Sequence, residues 1–372
     1  MIIPKEFDDI RPWEPEELPE VYKRLISNET FKGVLTSIYP GVPMQAIAAK
    51  LALCKTGLDF QKVFCYDFIY NLMGKVSKGF ELDTSALDVS RNFTFISNHR
   101  DIVADSALLD VLLLDNGFKT TCEIAIGDNL LTVPWVKDLV RINKSFIVER
   151  GLPMRQMLMA SKRLSDYMHF SINEKKENIW IAQREGRAKD SDDRTQEAVL
   201  KMMAMGGSGS IIERLVGLHI APLTISYEYD PCDFLKAQEF QQKRDDPSWK
   251  KAPGDDIKSM NTGIFGIKGH VHYHAAPCLD DYLMSLDSTM PKVELYKTIA
   301  EHIDHEIHSN YRLYSGNYVA LDELNGNDNN NCKYSAEEKS TFDSYIAGQL
   351  AKISIPNRDD NYLKERILTM YA

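Results

Sequence analysis

The segment 93–105 reads FTFISNHRDIVAD and holds a histidine with two aspartates close behind it. Positions 93–97 predict a strand, Asn98-His99 a turn, and a helical pattern starts near 104. His99 then sits between a strand end and a helix start, with Asp101 two positions on and Asp105 six. A neutral imidazole takes a proton from a hydroxyl at physiological pH. A carboxylate on its other nitrogen fixes the tautomer and stabilises the imidazolium. No serine nucleophile is needed if the substrate brings the hydroxyl. The plainer alternative is a histidine that only caps or hydrogen-bonds a helix start, where His and Asp are common.

Two further histidine sets could do different chemistry. His270, His272 and His274 fall on one face of a predicted strand, a spacing that could hold a metal and make the protein a metal-dependent hydrolase. A merely polar strand face is the commoner meaning. His302, His305 and His308 recur every third residue along a predicted helix over 292–314. The six cysteines (54, 65, 122, 232, 278, 332) include no C-x-x-C pair, so zinc ribbons and dithiol redox motifs are not indicated.

The elements that must position these groups follow from periodicity. Residues 1–90 predict a mainly helical region, with apolar stripes through 44–53 and 63–73. Between 91 and 280 short β-prone runs (93–97, 121–126, 145–148, 178–182, 219–226, 268–275) alternate with helical runs (104–114, 134–140, 153–173, 195–205, 210–216). That alternation predicts an α/β layer on a largely parallel sheet, whose ligand chemistry gathers at the carboxyl ends of the strands. Residues 231–262 are polar and read as loop, and 281–372 as a helical carboxyl-terminal region.

The 372 residues carry 44 basic and 54 acidic side chains, a net charge of −10, which does not favour a nucleic-acid partner. The first residues lack a basic stretch followed by an apolar run, so no export signal is expected, and scattered cysteines fit a reducing cytoplasm. No apolar run reaches membrane-spanning length. The richest, 107–114, contains Asp110 and predicts a buried helix. Any membrane contact is expected to be peripheral.

Four blocks in order over roughly residues 90–230 resemble the PlsC-like glycerolipid acyltransferase superfamily, the glycerol-phosphate and lysophosphatidate acyltransferases. Asn98-His99 with Asp105 is similar to the family's Asn-His-x4-Asp block, with one extra residue between the two. Residues 145–150, SFIVER, resemble the second block; 179–187, IWIAQREGR, the third; 220–227, IAPLTISY, the fourth. The resemblance implies an α/β acyltransferase domain. It implies His99 as general base, paired with Asp105 or with Asp101. Arg150 and Arg187 would hold the acceptor phosphate, with Glu185 and Gly186 beside them. The missing spacer in Glu185-Gly186-Arg187 leaves Arg184 or Lys189 as alternatives for the arginine role. Pro222, unusual inside a strand, suggests an edge or bulge, and the resemblance places it at the acyl channel. Arg141, Lys144, Arg150, Arg155, Lys162 and Arg163 against Glu149 form a local basic surplus suited to phosphate.

The implied partners are acyl-CoA or acyl carrier protein as donor and a glycerol-phosphate-type acceptor, with no metal or other cofactor. Backbone amides at the helix start would meet the oxyanion. Peripheral contact with lipid on the cytoplasmic face of a membrane is expected, through apolar residues near 47–53 or 64–72 or with those stripes in the core. A catalytically silent lipid-binding member of the fold is a further alternative.

Overall fold

A computed structural model describes residues 3–252 and 254–372. Residues 1 and 2 of the segment read for an export signal, and Pro253 of the segment read as loop, lie outside them. Seven strands form one sheet: β1 (Ser77–Asp83), β2 (Thr94–Ser97), β3 (Cys122–Gly127), β4 (Ser145–Val148), β5 (Asn178–Ala182), β6 (Ile220–Tyr227) and β7 (Gly269–Ala275). Their spatial order is β1-β7-β6-β2-β5-β3-β4. The five strands from β6 to β4 run parallel, and β7 pairs antiparallel to β6 while β1 runs parallel to β7. The sheet is thus largely parallel and flanked by helices, as its near-continuous apolar strands imply, since such strands are buried on both faces.

Alternate residues feed two cores. Ile96, Ile181 and Ile220 face one side with Leu164 and Met168 of the Met154–Phe170 helix and Ile299 and Ile303 of the Lys292–Ser309 helix. Phe95, Trp180 and Ala221 face the other, with Leu108 and Leu112 of the Ala104–Asp115 helix. β1 lies within the region read as mainly helical. Ser, Lys, Gly, Glu and Asp are poor strand formers, and its ladder with β7 supplies the structure instead of its sequence pattern.

The segment read as loop is instead largely helical, over Asp233–Asp245 and Asp255–Phe265. The first of these packs with the carboxyl-terminal helices through Phe234, Val319, Phe342, Leu363 and Ile367. Asp233 accepts from the hydroxyls of Tyr345 (2.9 Å) and Tyr371 (2.8 Å). Partners about a hundred residues away bury a polar helix that has no local apolar stripe. A separate amino-terminal core (Val21, Phe31, Leu35, Leu51, Phe64) closes over Ile142. Ile47, Leu51, Phe64 and Ile69 of the two stripes named above are buried in the core, whereas Leu53 and Tyr70 are exposed. No described helix is long and apolar enough to cross a membrane.

Candidate active site

The carboxyl ends of β2 to β6 share one rim. At the end of β2, Asn98 pairs with the backbone of β6: its amide donates to Ile225 O (2.9 Å) and its side-chain oxygen accepts from Ile225 N (2.8 Å). This side chain continues the ladder where the main chain leaves it and so fixes the turn that carries His99. His99 Nδ1 lies 2.8 Å from Asp105 Oδ2, and its ring packs edge-on against Trp180.

Asp105 is fully buried, and burying a carboxylate is costly unless donors surround it. Its oxygens accept from His99, from the amides of Arg100 (2.7 Å) and Asp101 (3.0 Å), and from the Tyr227 hydroxyl (2.9 Å). The extra residue before Asp105 is thereby absorbed in a turn that wraps its own carboxylate. Asp101 is the structural member. Its Oδ1 accepts from Val103 N (2.9 Å) and Ala104 N (2.7 Å), covering the start of the Ala104–Asp115 helix. Burial, with Asp105 nearby, pushes its carboxyl above the ordinary range. The amides of residues 100, 101, 103 and 104 are all committed to these two carboxylates, so the expectation that helix-start amides face an oxyanion does not hold for them.

The same turn is buttressed from the insertion between β6 and β7 that carries the Asp233–Asp245 and Asp255–Phe265 helices. A Cβ on Gly263 would fall 1.8 Å from Asp101 Oδ2, so only glycine lets the Asp255–Phe265 helix close on it. The buried Lys268 ammonium donates to Gly266 O (3.1 Å) and to Gly263 O (2.5 Å) at that helix's end.

His99 opens on a cleft of about 840 Å³. Arg150, Arg184 and Arg187 reach it from the sheet rim, and Lys236, Lys250 and Lys258 from the insertion. Arg150 lies against Gly127, where a Cβ would come within 2.8 Å of its Nε, and bonds Glu185 at 3.2 Å. Gly186, with φ +73°, makes the left-handed turn between Glu185 and Arg187. Arg187 donates to the Ser259 hydroxyl (2.9 Å), while its Nη1 is buried without a partner, and no carboxylate pairs with it among the described residues. Arg184 Nε lies 3.8 Å from Asp193, and Asp193 in turn accepts the His99 amide at 2.9 Å. Lys189 pairs with Glu239.

Of the remaining basic residues, Arg155 is exposed and the other four are spent elsewhere. Arg141 is buried on Trp13 and bonds the backbone of Asp8 and Arg11; Lys144 is buried against Glu177. Lys162 pairs with Asp166 and Arg163 with Glu149. Pro222 is also not where it was expected. It lies buried in β6, a central strand, and does not line the cleft. Its carbonyl accepts from Ala276 N just past the end of β7, so its missing N–H faces a stretch where the ladder has already ended.

A second cavity of about 290 Å³, mostly apolar, lies between the amino-terminal helices and the Ala104–Asp115 helix. Val103, Ala107, Val140 and Asn143 line both spaces, so the two adjoin. Asp110 lines the smaller one, and burial pushes its carboxyl up to about 7. Trp180, Tyr227 and Asp193 were missed by the sequence reading. Trp180 and Tyr227 stand inside two of the motif blocks, whereas Asp193 gives no local signal.

The strand histidines do not converge. His272 pairs with Glu81 (3.1 Å) and His274 with Asp83 (3.3 Å) across the β1–β7 ladder, and His270 stacks on Tyr314. On the helix, His302 stacks on Tyr282 and His308 bonds the Asp193 carbonyl. Among the described residues one metal-capable group gathers, His219, Cys278 and Asp280, and the Arg91 guanidinium already lies 2.9 Å from Asp280 and 3.1 Å from His219.

Residues 82–226 match a family model described as Acyltransferase, a span that includes His99, Asp105, Arg150 and Arg187. No curated protein matches in sequence. A similar solved structure is that of the 1-acyl-sn-glycerophosphate (LPA) acyltransferase PlsC from Thermotoga maritima. That alignment covers 79% of this chain and 93% of that one at 13% identity, with a TM-score of 0.38.

Proposed function

We infer from the family-model match that residues 82–226 form an acyltransferase-type domain. From that premise we propose an O-acyltransferase that moves a fatty acyl group from a thioester, acyl-CoA or acyl carrier protein, to a hydroxyl of glycerol 3-phosphate or a lysophospholipid. The observation that carries the reading is His99 bonded to a buried Asp105 at 2.8 Å on a cleft that also holds the carboxylate-free Arg187.

With Nδ1 held by Asp105, Nε2 takes the proton of the acceptor hydroxyl. The oxygen attacks the thioester carbonyl, the C–S bond breaks, and the leaving thiolate takes the proton back from the imidazolium. Asp105 neither gives nor takes a proton in this cycle; it orients the ring and stabilises its charge. Arg187, with Arg150 and Arg184 on the same wall, holds the acceptor phosphate, since a guanidinium stays charged and binds phosphate in a fork. Glu185 steers Arg150, and Gly186 lets the turn approach the ligand. The adjoining apolar cavity receives the acyl chain. The protein works peripherally on the cytoplasmic face of a membrane.

The test is to incubate purified protein with a long-chain acyl-CoA or acyl carrier protein thioester and, in parallel, glycerol 3-phosphate or lysophosphatidate, and to identify products by mass spectrometry. An acylated acceptor with release of the free thiol is expected, and both should form at least about a hundredfold more slowly with His99→Ala. Absence of acylated product with both acceptors and both donor types overturns the reading.

A further inference from the structure

The Met154–Phe170 helix is longer than the core it packs on. At about 100° per residue, positions 154, 157, 158, 161, 164, 165 and 168 form one stripe. Its carboxyl-terminal half is sealed in the core: Leu164 is 5% exposed and Met168 0%. Its amino-terminal half continues the same apolar face into solvent, with Met154 82%, Met157 47% and Leu158 57% exposed. Val133 is exposed on the loop after β3, which emerges next to the loop after β4 because those strands pair. Arg150, on the cleft, is four residues before Met154. The overhang therefore stands at the same rim as His99.

Its charge departs from that of the whole molecule. Between 133 and 163 there are seven basic residues (137, 141, 144, 150, 155, 162, 163) and two acidic (138, 149) in a chain of −10; Arg141 and Lys144 are buried, and Lys162 and Arg163 are paired with Asp166 and Glu149. Arg155 and Lys137 are exposed and have no carboxylate partner among the described residues.

We propose that this overhang is the surface by which the protein seats on a bilayer carrying anionic headgroups. Methionine and leucine side chains enter the acyl boundary while Arg155 and Lys137 meet the headgroups. A second copy of the chain would bring like charge to like in a two-fold contact, which disfavours it. An acidic protein would be met by only two free cations beside four large apolar side chains, a composition better suited to lipid. Seated this way, the cleft mouth lies at the lipid boundary. The assignment rests on the acyltransferase reading for its purpose, but the test reads binding alone.

Sedimentation with vesicles of phosphatidylcholine plus phosphatidylglycerol, against phosphatidylcholine alone, provides that test. The wild-type protein should pellet with the anionic vesicles, less so with neutral ones or at high salt. The double variant Met157→Glu/Leu158→Glu should lose at least about tenfold in partitioning, because each apolar side chain leaving water is worth on the order of tenfold. Its thermal unfolding and its turnover of a water-soluble short-chain donor should not change, since both positions are exposed. Wild-type protein that stays in the supernatant, or a double variant that pellets equally, overturns the proposal. So does a wild-type dimer that the double substitution dissociates. Loss of turnover with a carrier-protein donor while vesicle binding persists assigns the surface to an acidic protein instead. If no acyl transfer is found with any substrate, the vesicle result stands by itself.

Discussion

Two imidazole–carboxylate pairs with the same 2.8 Å separation stand at opposite rims of the sheet: His99–Asp105 after β2, and His219–Asp280 before β6. In the first, the carboxylate is fully buried under two backbone amides and a tyrosine hydroxyl, and the ring borders the cleft. In the second, Arg91 sits on both partners, Asp280 is less buried, and neither residue reaches a cleft wall. The distance between ring and acid does not distinguish them. What distinguishes them is the strand end each occupies and what the ring's second nitrogen can meet.

The contrast breaks most decisively at the base itself. His99→Ala should lower kcat by about 10²–10⁴-fold, the usual worth of a positioned general base. His219→Ala should leave steady-state turnover unchanged, and equal losses in the two variants would erase the distinction drawn between the rims.

Arg187→Ala should raise KM for the acceptor by about ten- to a hundredfold, with a smaller change in kcat, as expected when a charged hydrogen bond to a phosphate is lost. Arg91→Ala, at the other rim, should do neither. A kcat effect without a KM effect at Arg187 would move that residue from holding the acceptor to the reacting atoms.

A finer version compares buried carboxylates. Asp105 has four donors, whereas Asp110 has two, Cys122 N and the Gln61 amide, and its carboxyl is pushed up to about 7. A folded-state pKa above the unfolded value means stability present at low pH and lost as pH rises towards that pKa. Relative to Asp110→Asn, the wild-type protein should lose about 1 kcal/mol of stability between pH 6 and pH 8. Denaturant unfolding at the two values checks this, and the pH-independent cost of the substitution cancels in the difference. The smallest effect is expected for Asp280→Asn: at most about 1 kcal/mol in a denaturant melt, as for other partly exposed ion pairs, with turnover intact.

The β2 corner was legible in sequence because parallel strands are short apolar runs, and their carboxyl ends carry the first polar residues after each run. That placed His99, Arg150 and the 184–187 turn on one rim. Choosing between Asp101 and Asp105 needed a signal that was present but unused: Asp101 stands three residues before Ala104, the spacing of a side chain that covers a helix's free amides. The 233–265 insertion was not legible, because its burial depends on Phe342, Ile346 and Leu363, far along the chain, and not on any local period. Pro222 misled for a related reason. A strand can be central in the sheet and still take a proline where a neighbouring strand has ended, which only the end of β7 reveals.

The close approach of Gly263 to Asp101 bears on how substrates come and go. That helix cannot move inward, because its backbone at Gly263 already rests on the Asp101 carboxylate, so the insertion acts as a doorstop that limits how far the entrance can narrow.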